Sequence, residues 1–159
     1  MATLTQNLFY GVGENQWDLT LTQGAWPTDA EGAVFIIGPD KRRPGGHWFS
    51  ESGMVLKIEC APTSAGKIRA RTRRIHTPVE QLKERFPALF KKFFVMEASP
   101  FGFTNMANTN LQPMGERLFV GYDVGRPLAI DPETLDFVTR VASNGQWEQC
   151  LPGRLAPLL

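Results

Sequence analysis

Short apolar runs separated by tight polar turns run through most of the chain, and one stretch carries the pattern most fully. From Thr104 to Thr139, the runs Leu118-Phe119-Val120, Pro127-Leu128-Ala129-Ile130 and Leu135-Asp136-Phe137-Val138 alternate with turns at Met114-Gly115-Glu116 and Asp131-Pro132-Glu133-Thr134. This spacing predicts an antiparallel meander, the unit from which a β-propeller blade is built. Pro132 presets φ in the second turn, and the Asp131 carboxylate can accept backbone N–H groups there. Upstream, Trp17 to Thr22 alternates and predicts an outer strand, and Ala33 to Ile37, bounded by Gly32 and Gly38-Pro39, predicts a buried one. Val55 to Glu59 and Lys67 to Ile75 predict a hairpin. In its second arm Lys67, Arg69, Arg71 and Arg73 alternate with Ile68, Ala70 and Thr72, so a period of two puts the four cations on one face. That face meets either solvent or an anionic membrane surface or partner. Only Pro78 to Val95 shows a helical period, with Leu82, Phe86, Leu89, Phe90 and Phe93 on one stripe. Thr77 is its expected N-cap, Pro78 sits at the first position, and Pro87 kinks or splits it. The stripe either packs on a sheet face or, with Lys83, Lys91 and Lys92, dips into a membrane or lines a substrate entrance.

Composition narrows the class. The 15 glycines and 12 prolines, with few long periodic runs, favour an all-β fold with one helical insertion. A formal net charge of +1 gives no reason to expect nucleic acid. No apolar run approaches the roughly 18 residues of a membrane span. The first residues lack the basic and apolar regions of a secretory signal, which places the chain in the cytoplasm, with membrane association left open. Cys60 and Cys150 stand far apart and are expected as buried thiols rather than a disulfide.

Several of these segments resemble the carotenoid cleavage oxygenases. The resemblance rests on Asn105-Met-Ala-Asn-Thr-Asn110, the Gly-Glu-Arg-Leu turn at 115–118, Tyr122-Asp123 before Gly125-Arg126-Pro127, and Asp131-Pro-Glu-Thr-Leu135. Earlier, Trp26-Pro27, Asp29, Gly32 and Gly38-Pro39 match a conserved approach to a strand. That strand in the family carries an Arg where this chain has Ile36. His47, Phe49, Gly53 and Met54 match a His–x–Phe–Asp–Gly–Asp–Gly–Met signature, but Ser50, Glu51 and Ser52 replace its Asp-Gly-Asp core. Losing an Asp and a Gly from that turn changes its acceptor and its backbone freedom.

The resemblance implies a seven-bladed β-propeller and a non-haem Fe(II) dioxygenase that cleaves a conjugated C=C bond of an apolar polyene or stilbenoid. It also implies that residues 1–159 form the N-terminal part of one propeller domain, with a helical insertion at about 78–95. Four histidines hold the family's iron, and the chain has two histidines in all. His47 matches the signature histidine, which is not a ligand, and His76 falls where the family has Arg. The chain alone is therefore expected to bind no iron, with a complementary C-terminal fragment supplying the ligands. Two positions near the family's site fall inside the chain. Thr109 matches the Thr beside the iron's open position, or else serves a local turn. Asp123 stands in place of a Glu that accepts a hydrogen bond from a ligand imidazole, or else is a turn residue beside Gly125. The alternatives to a catalytic fragment are a non-catalytic lipid- or carotenoid-binding or interaction module, and one subunit of a split enzyme. Phosphate-binding glycine loops and a Gly-x-Ser-x-Gly nucleophile are absent, and Gly11-Val12-Gly13 stands alone.

Overall fold

The computed structural model describes residues 13–40, 51–88, 98–99, 102–103, 105–122 and 126–142. The alternating and apolar runs become two four-stranded antiparallel sheets. In the first, β1 (Asn15–Leu19), β2 (Ala33–Pro39), β3 (Gly53–Glu59) and β4 (Ile68–Arg74) lie in the order β1-β4-β3-β2. The helix α1 (Pro78–Arg85) follows. A two-stranded ribbon, β5 (Ala98–Ser99) with β6 (Gly102–Phe103), precedes the second sheet. That sheet is the expected meander of β7 (Asn110–Met114), β8 (Arg117–Gly121), β9 (Leu128–Ile130) and β10 (Phe137–Arg140), in the order β10-β9-β8-β7.

The two sheets share one core. Directly opposed residues of an antiparallel pair lie on the same face, and the pairs Phe35↔Lys57, Ile37↔Val55, Lys57↔Arg71 and Val55↔Arg73 define the inner face of the first sheet. Against it lie Leu118, Val120, Leu128, Ile130 and Leu135 of the second sheet, all buried and clustered with Val55, Ile75 and Ala107. Phe35, Ile37, Leu111 and Phe137 pack around this cluster. The inner face of the first sheet therefore mixes apolar residues with the cations Lys57, Arg71 and Arg73.

The cations find acids on the second sheet. The Asp131-Pro-Glu-Thr turn lies over them, with Lys57 Nζ 2.8 Å from Glu133 and Arg73 Nε 2.9 Å from Asp136. Lys57 is almost fully buried and also lies 5.8 Å from the Phe35 ring centroid. The alternation of Arg69, Arg71 and Arg73 falls on one face as expected, but Arg73 of that face is paired within the chain. The turn is built as its sequence predicts: Asp131 Oδ1 accepts the N–H groups of Glu133 and Thr134, each at 2.8 Å. These two N–H groups, with Arg117 nearby, outweigh slight desolvation and hold the Asp131 carboxyl below the usual range. Leu135 then takes a positive φ of 63°, which turns its side chain into the core.

Two expectations need correction. Ala33–Pro39 is not a buried strand but, among the described residues, an edge strand: β3 is its one described neighbour, and Val34 and Ile36 point to the outer face, where they are exposed. Asn110–Met114 is a strand where the sequence shows only a polar approach to a turn; it is an edge too, and an edge tolerates Pro113. The helix is interrupted as Pro87 predicts: α1 ends at Arg85, its cap Phe86 donating to the Leu82 carbonyl at 2.9 Å, and Pro87 and Ala88 are again helical. Leu82 and Phe86 are exposed rather than packed. Leu89, Phe90 and Phe93 lie outside the described residues. Among the described residues no helix is long and apolar enough to cross a membrane.

The first sheet is fastened to its outer strand by polar side chains. Thr72 donates to the Gly13 carbonyl at 2.6 Å and accepts from Asn15 N–H at 3.1 Å. Glu14 accepts the Arg74 N–H at 3.0 Å and lies 3.3 Å from His76 Nε2. Burial pushes the Glu14 carboxyl up, but the Arg74 N–H, His76 and Arg73 together bring it below its ordinary value of 4.5. A carboxyl depressed in the folded state stabilises above its unfolded value, and that contribution disappears as pH falls through the folded value. Glu14→Gln is therefore expected to flatten the loss of stability below about pH 4.5 and to change little at neutral pH beyond a screened surface contribution of under about 1 kcal/mol. Urea midpoints measured across that range check it; an unchanged acid slope would count against the assignment.

Candidate functional site

Two segments that the sequence marks out separately meet in space. The turn Glu51-Ser52 entering β3 lies against the loop Asn105–Thr109 entering β7. Gly53 N–H donates to the Met106 carbonyl at 2.8 Å, and the Gly53 carbonyl accepts Ile75 N–H at 2.9 Å. The chains approach so closely that a Cβ on Gly53 would overlap the Ala107 carbonyl. Here glycine is needed for room, not for its φ. Asn108 Nδ2 donates to the Glu51 carbonyl at 2.7 Å. Asn105 braces the loop from within, its Oδ1 accepting Ala107 N–H at 2.6 Å and its Nδ2 donating to the Arg126 carbonyl. Ala107 holds a positive φ of 55° at this crossing and is fully buried. Asn110 completes the set, its Oδ1 accepting Gly121 N–H at 2.9 Å.

The asparagines therefore position the loop, and Thr109 does not. Its side chain is exposed, and its hydroxyl reaches only the neighbouring Asn108 Oδ1 at 3.3 Å. Asp123, the other position marked by resemblance, lies outside the described residues, as do His47 and Cys150. Tyr122, beside Asp123, is partly buried at the end of β8.

Beneath this junction lies a buried polar network that the sequence reading missed. Ser52 Oγ donates to Glu80 Oε2, and both side chains are buried. Glu80 is the third helical residue of α1, and its N–H donates to Thr77 Oγ1 at 3.1 Å. Thr77-Pro-Val-Glu80 is a capping-box sequence, but its carboxylate turns to Ser52 instead of back to the cap. On the other side of Ser52, its carbonyl accepts Asp40 N–H at 2.8 Å, and the buried Asp40 carboxylate pairs with Arg74. The capping-box spacing was the one available signal; nothing local to Ser52 names its partner 28 residues away.

The donors present do not fit a four-histidine iron centre. His76 is half exposed and faces Glu14. Among the described residues no group of three or more His, Cys, Asp or Glu is placed to hold a metal ion. What the junction provides is rigid backbone and an outward hydroxyl.

Comparison with known proteins follows the same lines. The profile of the family described as retinal pigment epithelial membrane protein matches residues 11–154. A variant of the Synechocystis apocarotenoid oxygenase superposes with a TM-score of 0.64 at 21% identity, over 86% of this chain and 31% of the other. The Pseudomonas brassicacearum lignostilbene dioxygenase superposes with a TM-score of 0.65 at 22% identity, over 86% of this chain and 30% of the other. No curated protein matches the chain. Identity at this level speaks for the fold, which is that of part of a propeller-type oxygenase. The chain spans about a third of the length of these solved structures.

Ser52 stands where the related signature has Asp, and the structure gives that exchange a partner. Ser52→Asp would set a second carboxylate against buried Glu80 and is expected to cost about 3 kcal/mol. Adding Glu80→Gln should restore most of it, since a neutral amide can donate to the new carboxylate. A denaturation double-mutant cycle reads this coupling, and purely additive losses would show that the two side chains act independently.

Proposed function

The chain belongs to the retinal pigment epithelial membrane protein family, and on that premise we propose that it forms the N-terminal part of an Fe(II)-dependent oxygenase. That enzyme would use O2 to cleave a conjugated C=C bond in an apolar polyene or stilbenoid. The observation that carries this reading is the packing of Gly53 against Ala107. It joins the two segments most like the family's and leaves the Thr109 side chain exposed beside β7. In this reading Thr109 borders the position where O2 and substrate meet, and Asp123 steadies an imidazole supplied from elsewhere. When bound, iron would activate O2. The residues of this chain hold the sheets that frame it.

The imidazoles must come from further polypeptide, either the rest of a longer protein or a complementary C-terminal fragment. The exposed apolar pair Leu82 and Phe86, with Lys83 between them, supports a peripheral contact with a membrane that stores the substrate. A non-catalytic carotenoid-binding module remains the second reading, supported by Ser52 in place of the signature Asp.

The purified chain, loaded anaerobically with Fe(II), is expected to retain no stoichiometric iron and to cleave neither an apocarotenoid nor a stilbenoid. Co-expression with the reading frame downstream should bring both iron and cleavage. Iron and cleavage by the chain alone would overturn the fragment reading, and their absence from the co-expressed pair would overturn the oxygenase reading. Visible titration with an apocarotenoid identifies the module by tight binding without iron. Equal sedimentation with neutral and anionic vesicles, unchanged by Leu82→Ser, would remove the membrane contact.

A further inference from the structure

The loop that carries Thr109 holds a strained residue. Ala107 takes a φ of 55°, a conformation that any side chain makes unfavourable and that persists only where the surroundings impose it. They impose it from two directions. From within, Asn105 Oδ1 accepts the Ala107 N–H at 2.6 Å, and Asn108 Nδ2 donates to the Glu51 carbonyl at 2.7 Å. From outside, α1 touches both segments of the crossing. Glu80 accepts from Ser52 Oγ, one residue before Gly53, and Lys83 Nζ lies 3.4 Å from Met106 Sδ, one residue before Ala107. Gly53 N–H and the Met106 carbonyl are themselves joined at 2.8 Å. One helix therefore grips Ser52 and Met106 on either side of the hydrogen bond that closes the crossing.

The spacing along α1 allows this grip. Residues three apart share a helix face, so Glu80 and Lys83 reach the crossing together, while Leu82 and Phe86 are exposed. The helix itself does not call for the Glu80 contact. Thr77 Oγ1 already caps it by accepting Glu80 N–H, and a carboxylate turned back to the cap would support the helix more directly. Instead the Glu80 side chain is buried against Ser52. A buried carboxylate is unfavourable unless its partner is held in place, so this pair favours the one arrangement in which Ser52 stays under α1. That arrangement sets Met106 and Ala107 over Gly53. Thr109 follows two residues later, its hydroxyl 3.3 Å from Asn108 Oδ1, and so takes its place from the loop.

We infer that Glu80 and Lys83 are positioning residues: through Ser52 and Met106 they clamp the loop Asn105–Thr109 and thereby fix where Thr109 stands. The consequence for cleavage rests on the oxygenase reading of Thr109; the clamp is a property of this chain by itself.

Amide hydrogen exchange on the full chain tests the clamp. Glu80→Ala is expected to speed exchange at Gly53 and Ala107 by at least about tenfold, while the amides of β8 and β9 keep wild-type rates as an internal reference for global opening. Glu80→Gln keeps an acceptor for Ser52 Oγ and should restore slow exchange. Lys83→Met keeps the apolar stem, removes the ammonium, and should speed the same two amides by a smaller factor. Unchanged rates at Gly53 and Ala107 in both Glu80→Ala and Lys83→Met overturn the inference, as do rates that rise equally in β8 and β9. Should Glu80→Ala fail to fold, Lys83→Met decides by the same criterion. In the pair co-expressed with the downstream reading frame, Glu80→Ala should lower kcat at least about fivefold with KM within about twofold, because a displaced Thr109 disturbs the reacting position more than the hold on substrate. Loosened amides with an unchanged kcat overturn the positioning role. No cleavage by the wild-type pair overturns the oxygenase reading instead, and the exchange result on the chain alone still stands.

Discussion

Everything described here depends on one crossing, where the backbone at Gly53 presses against the backbone at Ala107. Gly53 opens the central strand β3 of the first sheet, and Ala107 lies in the loop that delivers β7 to the second. The hydrogen bond from Gly53 N–H to the Met106 carbonyl fixes how far the sheets are apart at that end. The ion pairs of Lys57 with Glu133 and Arg73 with Asp136 fix it at the other. Apolar contact alone would permit sliding, since hydrophobic attraction has no preferred direction. The directional contacts at the two ends convert a greasy interface into a single registry.

The same two ends explain why the inner face of the first sheet carries cations at all. A wholly apolar face would bury more surface, and a partly buried Lys is costly unless paired. Lys57 recovers that cost by reaching the exposed end of Glu133 while its ammonium lies over the Phe35 ring. The Asp131 turn is thus more than a connector between β9 and β10. Its carboxylate and its two capped N–H groups make it rigid enough to present Glu133 and Asp136 at fixed positions.

Much of this was legible in the sequence because it is local. The meander followed from turn chemistry, and the Asp131 cap was read correctly from four consecutive residues. The alternation of Arg69, Arg71 and Arg73 on one face is legible too, with Arg69 exposed as a solvated face requires, but the pairing of Arg73 within the chain is not. A period of two reveals which residues share a face and says nothing about what covers it, and the acids that meet Arg73 and Lys57 come from 63 and 76 residues away. The edge position of Ala33–Pro39 was hidden for the same reason: an apolar run reads as buried whether it has one neighbour or two. The resemblance to a family supplied the global fold that periodicity could not. For the site it pointed to Thr109 and Asp123, of which the structure describes only Thr109, and it offered no hint of the Ser52–Glu80 pair, whose members lie 28 residues apart.

That departure bears on how far function can have been kept. A signature Asp at position 52 would face Glu80 without a proton to share, so the serine and the helix carboxylate make sense only together. With serine at position 52, the turn places Gly53 against Ala107 and Asp40 beside Arg74. A scaffold whose only remaining task was to fold would need this crossing for stability alone. It would have no such need of an exposed hydroxyl at Thr109, since the asparagines on either side already satisfy the loop and Thr109 reaches only Asn108. Thr109 is the one member of that run whose identity the fold does not explain, and this is the strongest reason within the chain to look for its role in a site completed from outside.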